Sequence, residues 1–272
     1  MKRIIKHSSL AITLLSSAVF FGCESDESQT VTTLNNLVWS DEFDGSGAPS
    51  AQNWVFDIGT GDNGWGNNEL QYYTDREENI TVQGGFLAIT AREEDFEGSS
   101  YTSARITTKG LREYEFGRIE TRMQLPLGQG IWPAFWMLGA DIDTNPWPGA
   151  GEIDVLEYLG QNPTEMFGTI HGPGYSAGES ITKKYNLGND RFDTGFHIFG
   201  IEWGPNFINF YVDDVLYNQL TPEDLPEDAE WVFNKPFYLL LNMAVGGSLP
   251  GAPNEQTMFP QTLLVDYVRV YQ

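Results

Sequence analysis

The fold is indicated first by a nearly unbroken apolar run, PFYLLLNMAV, at residues 236–245. Asn242 is the one amide in this run, which carries no charged side chain. Such a run is typical of a strand that is covered on both faces, because neither face could stay in water without a large cost. The run therefore predicts a central strand that lies between two layers.

Segments in which apolar and polar side chains alternate surround this run, as expected for strands with one face in the core. Residues 206–218 predict a hairpin that turns at Asp213 and Asp214. Thr221 followed by Pro222 predicts only a short helix. The 29 Gly and 14 Pro disfavour long helices, so we predict an all-β sandwich of two sheets. The alternating segments are FLAITARE (86–93), GRIETRMQL (117–125) and LVDYVRVY (264–271).

The composition is that of one domain with a substantial core. The chain has 272 residues, of which 40% are hydrophobic and 14% aromatic. Residues 37–272 show no internal linker or repeat, and we expect them to form a single, monomeric domain. The formal net charge of −23 would repel polyanions, which argues against nucleic acid and sulfated polymers as ligands.

The N-terminus has the pattern of a secretory signal. A basic start is followed by an apolar run that is too short to span a membrane and ends at residue 22. Cys23, the one cysteine of the chain, follows directly and resembles the lipidated residue of a bacterial lipoprotein. We therefore expect a signal peptide at residues 1–22, lipidation of Cys23, and a flexible acidic tether at 23–36. The expected location is the outer membrane, reached only through this lipid anchor.

The segment GEIDVLEY, residues 151–158, carries the chemistry. On a regular strand Glu152 and Asp154 share a face and Glu157 points away, but one extra residue in a β-bulge would bring Glu157 back. Three acids facing one cleft would repel one another and spread their pKa values, as glycoside hydrolysis requires of an acid and a carboxylate. A metal site or a solvated acidic edge remains an alternative on the motif alone.

Tryptophans support a carbohydrate ligand. Trp132 and Trp136 lie four residues apart in a segment flanked by Gly and Pro, and exposed indole faces stack on sugar rings. Trp65 and Trp147 lie in loops that are rich in Gly, Asn and Pro. The remaining tryptophans are predicted to be core residues; they are Trp39, Trp54, Trp203 and Trp231.

GEIDVLEY and the motifs around it resemble glycoside hydrolase family 16, and within it the bacterial laminarinases, which are endo-1,3-β-glucanases. The likeness covers residues 38–272, and the motifs stand in the family's order. The spacing ExDxxE matches the laminarinase branch, whereas other branches have ExDxE. The further motifs are GQGIWPAFWML (128–138), FHIFGIEW (196–203), LNMAVGG (241–247) and VDYVRVYQ (265–272).

The resemblance implies a concanavalin A-like β-jelly-roll of two curved antiparallel sheets with a concave substrate cleft. It implies a retaining endo-hydrolysis of β-1,3-glucan, with Glu152 as nucleophile, Glu157 as general acid/base and Asp154 modulating the nucleophile. Retention predicts that the two glutamate carboxyl groups lie roughly 5–5.5 Å apart. Alternatives on the same fold are a mixed-linkage β-1,3-1,4-glucanase, a galactan hydrolase and a non-catalytic glucan-binding protein.

The resemblance also assigns binding residues. Asn67 and Arg105 match positions that bind the sugar next to the nucleophile, His171 matches a histidine near the acid/base, and Trp132 and Trp136 match the stacking platform. No cofactor is expected for catalysis. A structural Ca²⁺ is expected at the Asp266 side chain with backbone oxygens of Glu42 and Gly85, since calcium prefers oxygen ligands. Ser248 and Leu249 depart from the family, which often has an aromatic residue there.

Overall fold

The computed structural model describes residues 32–213 and 215–272, which form a sandwich of two β-sheets. Three single turns of helix, at Gly64–Asn68, Ala177–Glu179 and Pro222–Asp224, interrupt the strands. The strands are β1 (Leu37–Asp41), β2 (Val55–Phe56), β3 (Gln71–Tyr73), β4 (Ile80–Gln83), β5 (Phe86–Phe96), β6 (Ser99–Ser103), β7 (Arg105–Thr107), β8 (Gly117–Gln124), β9 (Ile131–Gly139), β10 (Glu152–Tyr158), β11 (Glu165–His171), β12 (Ile181–Asn186), β13 (His197–Gly204), β14 (Phe207–Val212), β15 (Val215–Leu220), β16 (Phe237–Val245) and β17 (Gln261–Tyr271).

The first sheet has ten strands and the second has seven. The ten-stranded sheet runs in the order β15-β14-β13-β8-β17-β5-β6-β3, with β1 paired to β17 and β4 paired to β5. The seven-stranded sheet runs in the order β12-β11-β10-β9-β16-β7-β2. Every strand pair is antiparallel except β3 with β6. The predicted all-β jelly-roll sandwich is confirmed.

Most of the apolar run at 236–245 forms β16, an interior strand of the seven-stranded sheet between β9 and β7, and all nine residues of β16 are buried. One face, with Leu239, Leu241 and Met243, packs into the core between the sheets. On the other face Tyr238 and Leu240 pack in a smaller cluster with Leu138. Burial on both faces is therefore confirmed, but the apolar side chains on the outer face come from β16, its neighbour β9 and the loop after β9, and they do not form a second layer.

The alternating segments form β5, β8 and β17, but β8 is buried on both faces. Its inward residues, Ile119 and Met123 among them, are fully buried in the core. Its outward residues Arg118 and Glu120 are also buried, at 8% and 6% exposure. Tyrosines from distant strands cover them, which an alternation pattern within one strand does not reveal.

The predicted hairpin and short helix are both present. β14 pairs with β15, and Val212 lies opposite Val215 at the turn. The helical turn Pro222–Asp224 is held at its start by Asp224, whose carboxylate accepts hydrogen bonds from the Thr221 amide at 2.8 Å and hydroxyl at 2.9 Å. The turn ends after three residues, as its weak helix signal predicts.

The predicted signal peptide, Cys23 and most of the tether lie outside the described residues. The last tether residues do not: the amides of Thr33 and Leu34 donate to the buried Glu202 carboxylate, and Asn35 accepts from Arg118. The folded domain therefore includes Thr33, Leu34 and Asn35, which the predicted boundary at 37 placed in the tether. No helix within 32–213 and 215–272 is long and apolar enough to span a bilayer.

Candidate active site

Strand β10 carries the three acids, and its pairing contains the predicted bulge. Against β9, Asp154 lies opposite Trp136 while Leu156 lies opposite Phe135, so β10 holds one extra residue there. The register against β11 is irregular over the same stretch. Val155 and Leu156 are consequently both buried in the core. The bulge turns Glu157 to the face of Glu152 and Asp154, where all three line one cleft.

The cleft crosses the outer face of the seven-stranded sheet. On β9, Trp132 and Trp136 flank Ala134, and on β16 the neighbouring floor is made by Asn242 and Ala244. The two alanines leave a depression between the two indoles. The remaining lining residues come from the turn at 64–68 and from β7; they are Trp65, Asn67, Glu69 and Arg105.

Glu152 receives a hydrogen bond from a loop residue. The Trp147 indole N–H donates to Glu152 Oε2 at 2.7 Å. Burial, followed by the charge of the neighbouring Asp154, raises the pKa of Glu152 to about 8, against smaller lowering effects of His171 and Trp147. Trp147 thus favours the ionised form of Glu152 that a nucleophile needs, whereas burial and the charge of Asp154 oppose ionisation.

Asp154 and Glu157 have raised pKa values for the same reasons. Asp154 is only 3% exposed, and burial, followed by the charge of Glu157, raises its pKa well above the usual range. Burial and the charge of Glu152 raise the pKa of Glu157 to about 7, while the Thr169 hydroxyl donates to it at 3.2 Å. The three carboxyl groups cannot all be ionised near neutral pH.

The distribution of protons follows from burial. Asp154 is the most buried of the three, and burial together with the charge of Glu157 raises its pKa well above the usual range, so we expect it to hold a proton near neutral pH. A neutral Asp154 no longer repels an anionic Glu152. Glu157, with a pKa of about 7, is then free to act as the acid that donates a proton near neutral pH.

His171 lies opposite Glu152 on β11 and faces the acids. Its Nε2 is 3.2 Å from Asp154 Oδ2 and 3.9 Å from Glu152 Oε1. The Ala177 amide donates to His171 Nδ1 at 3.2 Å, so Nδ1 is the acceptor and Nε2 carries the proton toward the carboxylates. Glu152, Asp154 and His171 lie close enough together to hold a metal ion, with ligand atoms within 4.8 Å.

Arg105 is fixed between two indoles. Its guanidinium lies 4.4 Å from the Trp65 ring centroid and 4.9 Å from that of Trp136, and its Nε is 2.8 Å from Asp57 Oδ2. Trp136 is itself held by its indole N–H, which donates to Asn242 Oδ1 at 2.7 Å. The cleft therefore offers a rigid cation and a fixed aromatic ring on the same side.

The structure brings together all the acids and sugar-binding residues that the sequence predicts, with one correction. Trp132 is only 8% exposed and packs with Leu159 and Ala244, so it forms a buried wall of the cleft, whereas an open stacking platform was expected. A large indole whose neighbours on the same sheet face are small residues, as Ala134 and Ala244 are here, packs down between them. Trp136 remains partly accessible.

Sequence reasoning missed several contacts of this site. Asn242 carried a signal, because it is the one amide in the apolar run of β16. Trp147 was noted as a loop tryptophan, but its hydrogen bond to Glu152 was not predicted; Thr169 and the Ala177 amide carried no signal, since their roles depend on strand register and loop geometry.

The residues expected to bind calcium lie on the ten-stranded sheet. β17 pairs with β5 over its first half and with β1 over its last residues, on the same edge. Asp266 lies between those two stretches, Gly85 ends the turn before β5, and Glu42 follows β1. The strand order therefore places all three residues along the same edge of β17. The Asp266 carboxylate also pairs with Arg122, so an ion would share it with a guanidinium.

Comparison with known proteins agrees with this geometry. The sequence profile of "Glycosyl hydrolases family 16" matches residues 63–268. The chain is 41% identical to a β-glucanase of Rhodothermus marinus, over 100% of this chain and 96% of that protein. The laminarinase catalytic domain of Thermotoga maritima MSB8 superposes with a TM-score of 0.82 and 50% identity, covering 87% of this chain and 98% of that one.

An endo-β-1,3-glucanase of Pyrococcus furiosus superposes with a TM-score of 0.83 and 46% identity, covering 87% of this chain and 94% of the other. The profile match spans most of the sandwich, including β10 with its three acids and the cleft strands β9 and β16. The protein therefore belongs to glycosyl hydrolase family 16.

Proposed function

We propose that the protein is a retaining endo-hydrolase of β-1,3-glucans such as laminarin. The observation that carries this proposal is the bulge of β10, which places Glu152 and Glu157 on one face of the cleft with Asp154 between them. Relatives and structural neighbours named as β-glucanase, laminarinase and endo-β-1,3-glucanase support the substrate class.

The reaction uses two displacements at the anomeric carbon. Glu157 donates its proton to the glycosidic oxygen as that bond breaks, and the Glu152 carboxylate attacks the anomeric carbon to form a glycosyl ester. The ionised Glu157 then takes a proton from water, whose oxygen attacks the same carbon and releases Glu152. Asp154, by holding its proton, keeps Glu152 available as an anion.

The sugar-binding residues act on the glycone side of this centre. Arg105 and Asn67 offer hydrogen bonds to the sugar next to Glu152, and the exposed part of Trp136 offers a stacking face. Glucan binding without hydrolysis is disfavoured because all three acids are present and line one cleft.

We also propose the attributes that the sequence predicts for the rest of the protein. Lipidation of Cys23 would anchor a monomeric enzyme at the outer membrane, and mass spectrometry of the mature N-terminus tests this. Ca²⁺ at Asp266 would stabilise the ten-stranded sheet where β1 and β5 meet β17. A calcium-dependent rise in Tm that Asp266→Ala abolishes is the expected result.

The experiment that tests the hydrolysis is the release of reducing ends from laminarin, lichenan and agarose, with Glu152→Ala as control. We expect the wild type to cut laminarin into short oligosaccharides and Glu152→Ala to leave it uncut. Cleavage of lichenan or agarose alone would overturn the substrate class, and laminarin binding without any cleavage would overturn the enzymatic proposal.

A further inference from the structure

Glu69 is a fourth carboxylate in the cleft and lies outside the GEIDVLEY motif. Its position is fixed by the backbone, because Glu69 bridges to Gly246 and the Leu70 amide donates to the Val245 carbonyl at 2.8 Å. The residue therefore stands beside the end of β16, on the side of the cleft that also holds Asn67 and Arg105. Nothing in the displacement chemistry requires an acid there.

The donors around Glu69 leave one acceptor position open. Glu69 Oε2 accepts from Gln71 Nε2 at 2.7 Å and from the Tyr73 hydroxyl at 3.1 Å. Glu69 Oε1 accepts only from Asn67 Nδ2, at 3.2 Å. A carboxylate offers about four acceptor sites, so Oε1 retains one for a ligand.

A chain of hydrogen bonds holds this carboxylate rigidly. The Tyr73 hydroxyl accepts from Asn242 Nδ2 at 3.1 Å, and Asn242 in turn accepts from the Trp136 indole at 2.7 Å. On the other side Gln71 Oε1 accepts from the Val245 amide at 2.7 Å. Glu69 is thus preorganised relative to the aromatic ring and to Asn67, which reduces the entropy lost when a ligand binds.

We propose that Glu69 is a substrate-binding residue that determines specificity for uncharged glucan, its Oε1 accepting a hydroxyl of the glucosyl unit held by Asn67 and Arg105. The proposal rests on the proposed β-glucan hydrolysis. The hydrogen bond that Asn67 Nδ2 donates to Glu69 also orients the side-chain amide, leaving Asn67 Oδ1 to accept from a second hydroxyl.

The charge of Glu69 explains why it would select against modified chains. A hydroxyl that donates to a carboxylate makes a stronger hydrogen bond than one that donates to a neutral oxygen. An acidic substituent on that hydroxyl removes the donor and places a second anion beside a half-buried one, which is strongly unfavourable. The subsite is therefore expected to accept an unsubstituted sugar and to reject a sulfated or carboxymethylated one.

The test compares Glu69→Gln with wild type on neutral laminari-oligosaccharides and on carboxymethylated β-1,3-glucan. Glu77→Gln is the matched control, because Glu77 is an exposed acid outside the cleft and the same charge is lost. For Glu69→Gln we expect KM on the neutral oligosaccharide to rise roughly 10- to 100-fold with a much smaller change in kcat, as loss of one charged hydrogen bond implies.

The ratio of kcat/KM on neutral to carboxymethylated substrate should fall at least tenfold in Glu69→Gln and stay unchanged in Glu77→Gln. Glu69→Asp keeps the charge on a shorter side chain, so it should raise KM and still discriminate against the carboxymethylated substrate. This variant provides the test if Glu69→Gln does not fold. An unchanged KM in Glu69→Gln, or lost discrimination in Glu69→Asp, would overturn the proposal. Failure of wild type to cut laminarin would instead overturn the proposed hydrolysis.

Discussion

Acids lie in partly or fully buried positions on the outer faces of both sheets, three on one and Glu120 on the other, and their surroundings differ. On the seven-stranded sheet the acid trio, Glu152, Asp154 and Glu157, share one cleft, and among the described residues no Arg or Lys side chain forms an ion pair with them; His171 Nε2 lies 3.2 Å from Asp154 Oδ2. On the ten-stranded sheet Glu120 lies within a cluster of one arginine and three tyrosines, called here the tyrosine cluster. Its members are Arg118, Glu120, Tyr211, Tyr267 and Tyr271.

In the tyrosine cluster every group has a complementary partner. Glu120 accepts from the Tyr211 hydroxyl at 2.8 Å and lies 3.4 Å from Arg118 Nε. Arg118 in turn stacks over the Tyr271 ring at 3.6 Å. The acid trio instead has like charges as neighbours, and their pKa values are raised. Burial of the same side chain thus supports stability in one place and provides reactive protons in the other.

The largest expected effect is on catalysis. Glu152→Ala should lower kcat on laminarin by roughly 10³-fold or more, because the variant has no nucleophile. The same change removes an anion from a repulsive group, so the unfolding free energy should rise. Kinetics and urea denaturation on one preparation measure both. If Glu152→Ala kept its turnover, or lost stability as a tyrosine-cluster variant is expected to, the contrast between the two sites would be wrong.

A smaller effect, on stability alone, is expected in the tyrosine cluster. Glu120→Gln removes a charged acceptor from Tyr211 and the partner of Arg118, and should lower the unfolding free energy by about 1.5–3 kcal/mol. Its kcat/KM should equal that of wild type, since Glu120 lies on the other sheet. Loss of activity in the folded variant would show that the two faces are not independent.

The smallest effect is a shift in pH dependence. Thr169 donates to the ionised form of Glu157, so Thr169→Val should raise the pKa of Glu157 above its value of about 7. The acid then stays protonated to higher pH, and the alkaline limb of kcat/KM should move up by roughly 0.5–1 unit.

Thr182→Val is the control for Thr169→Val. Thr182 donates to the Thr169 hydroxyl at 3.1 Å and does not contact Glu157, so its loss should move the limb less. A limb that moves down in Thr169→Val, or moves equally in both variants, would contradict the assignment of Glu157 as the acid.

Much of the fold was accessible from sequence because β16 and the alternating strands bury their side chains by a local rule. The bulge of β10 was accessible too, since only an extra residue lets Glu157 join Glu152. The covered outer face of β8 was not, because Tyr211 and Tyr267 come from strands far along the chain. The hydrogen bond from the Ala177 amide to His171 was not predictable either, because it depends on loop geometry and not on residue type.

The proposed mechanism requires that Glu152 form a covalent bond to the sugar. An activated 2-deoxy-2-fluoro β-1,3-glucoside, which slows hydrolysis of the glycosyl ester, allows that bond to be located by mass spectrometry of the digested protein. We expect one added glycosyl group, on Glu152 of the peptide that spans β10. Label on Glu157, or inactivation with no label on either glutamate, would contradict it.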